Sequence, residues 1–199
     1  MDAWNVYQRL VARLDRAAIR AAVESHGLVT RDDPTLFELV TTFRVIDEIS
    51  AVGWTTQPLH LWQGALKLKA RRGDEQLTLH YQYTPKSLAQ GSHYAAVQKA
   101  HHLSLGGLRP DLVLHRPARG DQQWLLIEVK GGERAVEQSA RAALLDLLAY
   151  RRAYEPSLSN SDQYGVGVAY GAELLPETAS EISIATPDFL QDALQPFLG

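Results

Sequence analysis

Two short apolar runs, Asp111–Arg116 and Trp124–Lys130, constrain this chain more than any other feature. Each holds a few strong β-formers and is bounded by breakers: Pro110 before the first, Pro117 and Gly120 between them, Gly131-Gly132 after the second. That pattern reads as two strands joined in an antiparallel hairpin. If Arg116 faces Gln123 or Trp124 across the turn, Asp111 falls opposite Glu128 or Val129. Directly opposed side chains place their Cβ atoms about 4.5–5.5 Å apart, so two carboxylates there could grip one divalent cation. Glu128 and Lys130 leave the strand on one face while Val129 points away. Their neighbours Leu112, Leu114, Leu126 and Ile127 are apolar, where a charge is costly unless paired or metal-bound.

The rest of the chain supplies a mixed α/β order with no repeat and no long linker. Residues 3–26 read as a helix capped at His26-Gly27. A second helix is expected from Asp33, with Pro34 as its first residue, to about Val52, ended by Gly53. A hairpin follows: Leu59 to Ala70, a turn at Arg71–Asp74, then Glu75 to Tyr83, with Leu77, Leu79 and Tyr81 on one face. Residues 84–108 are polar and irregular, with a helical turn near Tyr94–His102. After the central hairpin, Arg134–Tyr154 is helical and stopped by Pro156. Tyr164–Tyr170 and Glu181–Ala185 read as strands, and Thr186-Pro187 opens a last helix. The expected architecture is a sheet between helices, in one domain at residues 29–199 preceded by a helical arm at 1–28. With 199 residues, 45% of them hydrophobic, the chain is long enough to bury a core.

Arg109-Pro110-Asp111, then a strand and turn, then Ile127-Glu128-Val129-Lys130-Gly131-Gly132, resembles the signature of the PD-(D/E)XK, or restriction-endonuclease-like, nuclease superfamily. The resemblance covers residues 34 to about 170 and implies a restriction-endonuclease-like fold, a central mixed β-sheet flanked by helices. It implies Asp111, Glu128 and the carbonyl of Val129 as metal ligands, with Lys130 catalytic. The superfamily often adds an acidic residue from the preceding helix, for which Glu38, Asp47 and Glu48 qualify. At about 100° per residue, Glu38 falls within the apolar arc of Leu39, Phe43, Val45, Ile46, Ile49 and Val52, whereas Glu48 shares the polar side with Thr41 and Arg44. A core-facing carboxylate needs an explanation, so Glu38 is the expected fourth ligand; pairing with an arginine is the alternative. Leu36-Phe37-Glu38-Leu39, leading to Gly53-Trp54, also looks like the entry helix of McrC-type nucleases. Those relatives carry an acidic or polar residue and a tyrosine on the helix after the E-x-K strand, loosely matched by Asp146 and Tyr150. For both, helix packing is the expected role.

The implied chemistry is phosphodiester hydrolysis. Mg²⁺ or Mn²⁺ suits all-oxygen ligands and would offset the charge of the scissile phosphate. Lys130 would position or deprotonate water, or steady the pentacoordinate phosphate. The expected substrate is DNA, in prokaryotic defence or DNA processing, cut by a homodimer or with a partner subunit. Two alternatives stay open: a non-cleaving nucleic-acid-binding or scaffold subunit of the same fold, and a nuclease acting on RNA or on branched or single-stranded DNA. The trio could also be a cross-strand salt-bridge cluster on a wet sheet face.

Lys86, Lys99, His101 and Arg109, in the segment leading to Asp111, are placed to touch nucleic acid, as are Tyr150 and Arg151 beyond it. Arg9, Arg13, Arg16 and Arg20 form a stripe on the first helix that could follow a phosphate backbone, or simply face solvent. His93, His101 and His102 lack ligand-spaced partners and read as surface histidines. The formal net charge of −3 means that nucleic-acid contact must rest on a local patch. No P-loop, Gly-x-Ser-x-Gly elbow or His-Glu-x-x-His helix occurs, so no nucleotide cofactor is expected. No apolar run approaches a membrane span and no secretory leader is visible. The absence of cysteine excludes thiolate metal sites and fits a reducing cytoplasm, the expected location.

Overall fold

The computed structural model describes residues 33–62, 65–103, 108–118, 121–131, 136–159, 161–170, 177–179 and 181–199. The arm at 1–28, with its arginine stripe, lies outside the described residues. Helix α1 (Asp33–Ala51) leads to β1 (Thr55–Thr56), β2 (His60–Trp62), β3 (Ala65–Arg72) and β4 (Glu75–Tyr81). Two helices, α2 (Lys86–Ala89) and α3 (His93–Ala100), precede the central strands β5 (Leu112–Ala118) and β6 (Asp121–Lys130). Then come α4 (Val136–Ala153), α5 (Glu155–Leu158), β7 (Gly165–Ala169), β8 (Glu177–Ala179), β9 (Ile182–Ala185) and, after a 3₁₀ turn at Pro187–Phe189, α6 (Leu190–Leu198).

The strands form one mixed sheet in the order β1-β3-β4-β5-β6-β7-β9-β8, with β2 folded onto β3. β6 runs parallel to β7, and β7 to β9; the other pairs are antiparallel. The expected long arm at Leu59–Ala70 is in fact two strands, because His60 pairs with Lys67 and Trp62 with Ala65. In the sequence the alternation changes phase across Gln63-Gly64, from Leu59 and Leu61 to Leu66, Leu68 and Ala70, a sign of the reversal that a single-arm reading passes over. The central hairpin pairs Leu112 with Ile127 and Arg116 with Gln123, settling the register in favour of Asp111 beside Glu128. Pro117 and Ala118 belong to the ladder, so the turn is tighter than the breakers imply.

Alternation along the strands divides the core. On one face Leu68, Leu79, Leu112, Leu114, Leu125 and Ile127 pack beneath α1 and α6. On the other, Val113, Trp124 and Leu126 pack beneath α4 and α5. α1 ends at Ala51, and Gly53 just beyond it turns the chain with a φ of +89°, a conformation that favours a residue without a Cβ. Thr41, placed on the polar side of this helix by the wheel, is instead buried, with Oγ1 3.0 Å from the Tyr170 hydroxyl. The glycines of the β7 segment have a packing role: a Cβ on Gly167 would meet Ile184 Cδ1 at 2.5 Å and Ala143 Cβ at 3.0 Å, so their absence lets α4 lie close on the sheet. α4 runs back from the end of the sheet where β6 finishes, which brings its side chains over Glu128 and Lys130.

Candidate active site

Continuing the β4–β5 and β5–β6 registers by one residue sets Gln82, Asp111 and Glu128 side by side across three strands. The ladder gives way there to side chains. Asp111 Oδ2 accepts the Val129 N–H at 2.8 Å, and the Gln82 N–H reaches the Asp111 carbonyl at 2.8 Å. Gln82 has a φ of +54°, a left-handed conformation uncommon outside glycine and a form of strain that concentrates at functional positions. Its Nε2 donates to Glu38 Oε2 at 2.6 Å and lies 3.3 Å from Asp111 Oδ1. The Tyr81 hydroxyl also donates to Glu38, at 3.1 Å.

Glu38 reaches this row because the first turns of α1 are fastened at the end of β6. The Phe37 ring stacks on Tyr170 with centroids 4.4 Å apart. A Cβ on Gly131 would stand 2.7 Å from the Phe37 ring, so only glycine admits the helix this closely. Among the described residues no arginine holds Glu38; its partners there are Tyr81 and Gln82.

Glu128, 3% exposed, is held from two sides. Lys130 Nζ donates to its Oε1 at 2.6 Å and the Tyr150 hydroxyl to its Oε2 at 3.0 Å. Lys130 also pairs with Asp146 Oδ2 at 2.8 Å. Asp146 and Tyr150, one turn apart on α4, therefore act on the trio rather than merely packing the helix. Tyr150 is buried with its hydroxyl on Glu128 and the Arg109 carbonyl 3.1 Å away. Arg151 points elsewhere, over the Tyr164 ring and toward Glu181. Lys86, Lys99, His101 and Arg109 are exposed on the flank formed by α2, α3 and the segment before Asp111.

The electrostatics follow from this crowding. Burial, then the charges of Glu128 and Glu38, push the Asp111 carboxyl up to about 8. Burial also raises Glu128, opposed by Lys130. For Lys130 burial favours the neutral amine, but the bonds to Asp146 and Glu128 outweigh it and hold the ammonium above its ordinary range. As placed, no three His, Asp or Glu side chains among the described residues form a group able to hold a metal ion by themselves.

Two participants were not legible from sequence: Gln82 and Tyr81. In the sequence Tyr81 only shares a strand face with Leu77 and Leu79. The register that brings Gln82 to Asp111 crosses a long connection, for which turn arithmetic has no purchase. No family model matches the chain, and neither the curated proteins nor the solved structures hold a match.

Proposed function

We propose that this chain is a metal-dependent nuclease of the PD-(D/E)XK type, hydrolysing phosphodiester bonds of DNA. The observation that carries the reading is the convergence of Asp111, Glu128 and Lys130 at one end of a mixed sheet, with Glu38 reaching them from α1 through Gln82. An all-oxygen donor set fits Mg²⁺ or Mn²⁺. It comprises Asp111 and Glu128, with Glu38 close by and the Val129 carbonyl on the same strand edge as the amide that Asp111 caps. Asp111 favours such a cation because burial and two like charges penalise its ionised form. Mg²⁺ commonly engages only one or two carboxylates and completes its shell with water and substrate phosphate, so a dedicated protein cage is unnecessary.

When bound, the ion supplies charge neutralisation at the phosphate and Lewis acidity toward the attacking water. The protein's own groups do the rest. Asp146 and Glu128 keep Lys130 protonated at neutral pH, which favours stabilisation of negative charge on the phosphate over proton abstraction by this residue. Tyr150 fixes the second oxygen of Glu128 and so its orientation. Tyr81 and Gln82 do the same for Glu38.

A second reading, a nucleic-acid-binding subunit that keeps the fold without cleaving, draws on the same contacts. The Gln82 amide bridges Glu38 and Asp111, and Lys130 is closed by two carboxylates. Incubation of plasmid, linear and single-stranded DNA with Mg²⁺ or Mn²⁺, with EDTA and Lys130→Ala as controls, separates the two. Metal-dependent cleavage lost in the variant supports the nuclease; intact substrates under every condition favour the binding subunit.

A further inference from the structure

Among the described residues, the helices on the side of the sheet that carries Asp111 and Glu128 lie over its central strands. Further out, the β3 sequence Ala-Leu-Lys-Leu-Lys-Ala-Arg buries Leu66, Leu68 and Ala70 on one face and exposes Lys67, Lys69 and Arg71 on the other. Through the ladder, Lys67 pairs with His80, His80 with Val113 and Val113 with Leu126, which places the three cations on the same face as the carboxylates. No ion pair to Lys67, Lys69 or Arg71 occurs among the described residues. In a chain of formal charge −3 this is a local positive comb. Its teeth are spaced about 6.6 Å apart, as alternate residues of a strand are.

Between the comb and the site lie two hollows that share one wall. The first, about 220 Å³, is lined by His60, Lys67, His80 and Tyr83. The second, about 740 Å³, is lined by Tyr83 again, with Tyr94, Gln98 and Arg109, and ends on Gln82, which touches Asp111. Thr84 also stands at the wall of the second hollow, where the Tyr154 hydroxyl donates to the Leu108 carbonyl at 2.6 Å. Cations in a line and tyrosine rings at the walls of two adjoining hollows match what an unpaired polynucleotide offers: phosphates outside, bases within. A duplex keeps its base faces stacked and would leave both hollows empty.

We propose that the substrate of this site is a single-stranded polynucleotide. Its backbone follows Lys67, Lys69 and Arg71, and its bases enter the two hollows on either side of Tyr83 before the strand reaches Asp111. This rests on the nuclease reading only for the end point; the binding track stands independently. The test is fluorescence anisotropy in EDTA, where no metal-dependent cleavage occurs. Fluorescein-labelled oligo(dT), oligo(rU) and a duplex of equal length are titrated with the full chain, with Tyr83→Ala and with the surface pair Lys67→Glu/Lys69→Glu.

One of the two single strands should bind at least about tenfold tighter than the duplex, and which one does so identifies DNA or RNA. Tyr83→Ala should weaken that binding about 5- to 100-fold, the range of one lost base stack. The charge reversal should weaken it too and flatten its dependence on salt, because phosphate contacts are removed. Equal or tighter binding of the duplex overturns the proposal, as does unchanged single-strand affinity in the charge-reversal pair, whose exposed positions do not bear on folding. Tight single-strand binding without cleavage in Mg²⁺ would sink the nuclease reading and leave this one in place. Duplex cleavage with no single-strand preference would do the reverse.

Discussion

Asp111 caps β6: its carboxylate takes the Val129 amide hydrogen at 2.8 Å where a strand neighbour's carbonyl would otherwise stand. The hairpin therefore ends in a side chain, and the same carboxylate faces Gln82 and the charges of Glu38 and Glu128.

Neutralising Asp111 should separate stability from function. Its folded pKa, about 8, lies above the unfolded value of 3.8, so the fold favours the protonated form. The resulting penalty is absent below pH 3.8, grows as pH rises and is complete above about 8. Asp111→Asn should raise the metal-free stability at pH 8–9 by roughly 1–2 kcal/mol, in the manner of other neutralised buried charges. It should also abolish any stabilisation by Mn²⁺. Denaturant melts with and without Mn²⁺ check both outcomes; a destabilised variant that still responds to Mn²⁺ would contradict this role.

Tyr150→Phe removes one of the two donors to Glu128. The expected cost is about 1 kcal/mol of stability, together with a fall in kcat larger than any change in KM, since Tyr150 does not face substrate. Steady-state cleavage kinetics decide it, and a change confined to KM would place Tyr150 in substrate contact after all.

Gly131→Ala drives a methyl group into the Phe37 ring and lifts the start of α1 away from the site. Overpacking of this kind costs roughly 1–3 kcal/mol. Thermal unfolding should show that loss, and activity should fall further than stability because Glu38 moves with Phe37. Normal activity in a destabilised variant would detach Glu38 from catalysis.

Acid should weaken the fold through His80. Burial, then Lys67 and His115, depress this imidazole to about 4, so the unfolded chain takes up its proton first. His80 contributes stability that is fully present above pH 6.5 and is lost as pH falls toward 4, by at most about 3 kcal/mol. Unfolding free energies across that window should flatten in His80→Phe; an unchanged slope would mean that other groups govern it.

Much of this arrangement follows from short-range pattern. The tight turn between β5 and β6 fixes a register, and register brings Asp111 to Glu128. The wheel of α1 singles out Glu38, and the helix ends at Ala51, two residues before the Gly53 that the sequence marks as its stop. What escaped depends on long-range pairing. Gln82 and Asp111 are separated by 29 positions and two helices, and nothing local announces that β4 lies beside β5. Lys67, Lys69 and Arg71 look like the wet side of any hairpin until strand order places them on the face of the carboxylates. Asp146 and Tyr150 likewise become significant only once α4 lies across β6.

Under the proposed function, Asp111, Glu128 and Lys130 cut phosphodiester bonds with a divalent cation. Its most direct measurement is the Mg²⁺-dependent cleavage rate of labelled DNA, single-stranded and double-stranded, by the full chain and by Lys130→Ala, with folding of the variant verified by its melting curve. The prediction is cleavage abolished by EDTA and reduced at least about 100-fold in the variant, the scale of losing one charge-stabilising group. Cleavage that persists in EDTA, or equal rates in the full chain, Lys130→Ala and Asp111→Ala, would contradict it.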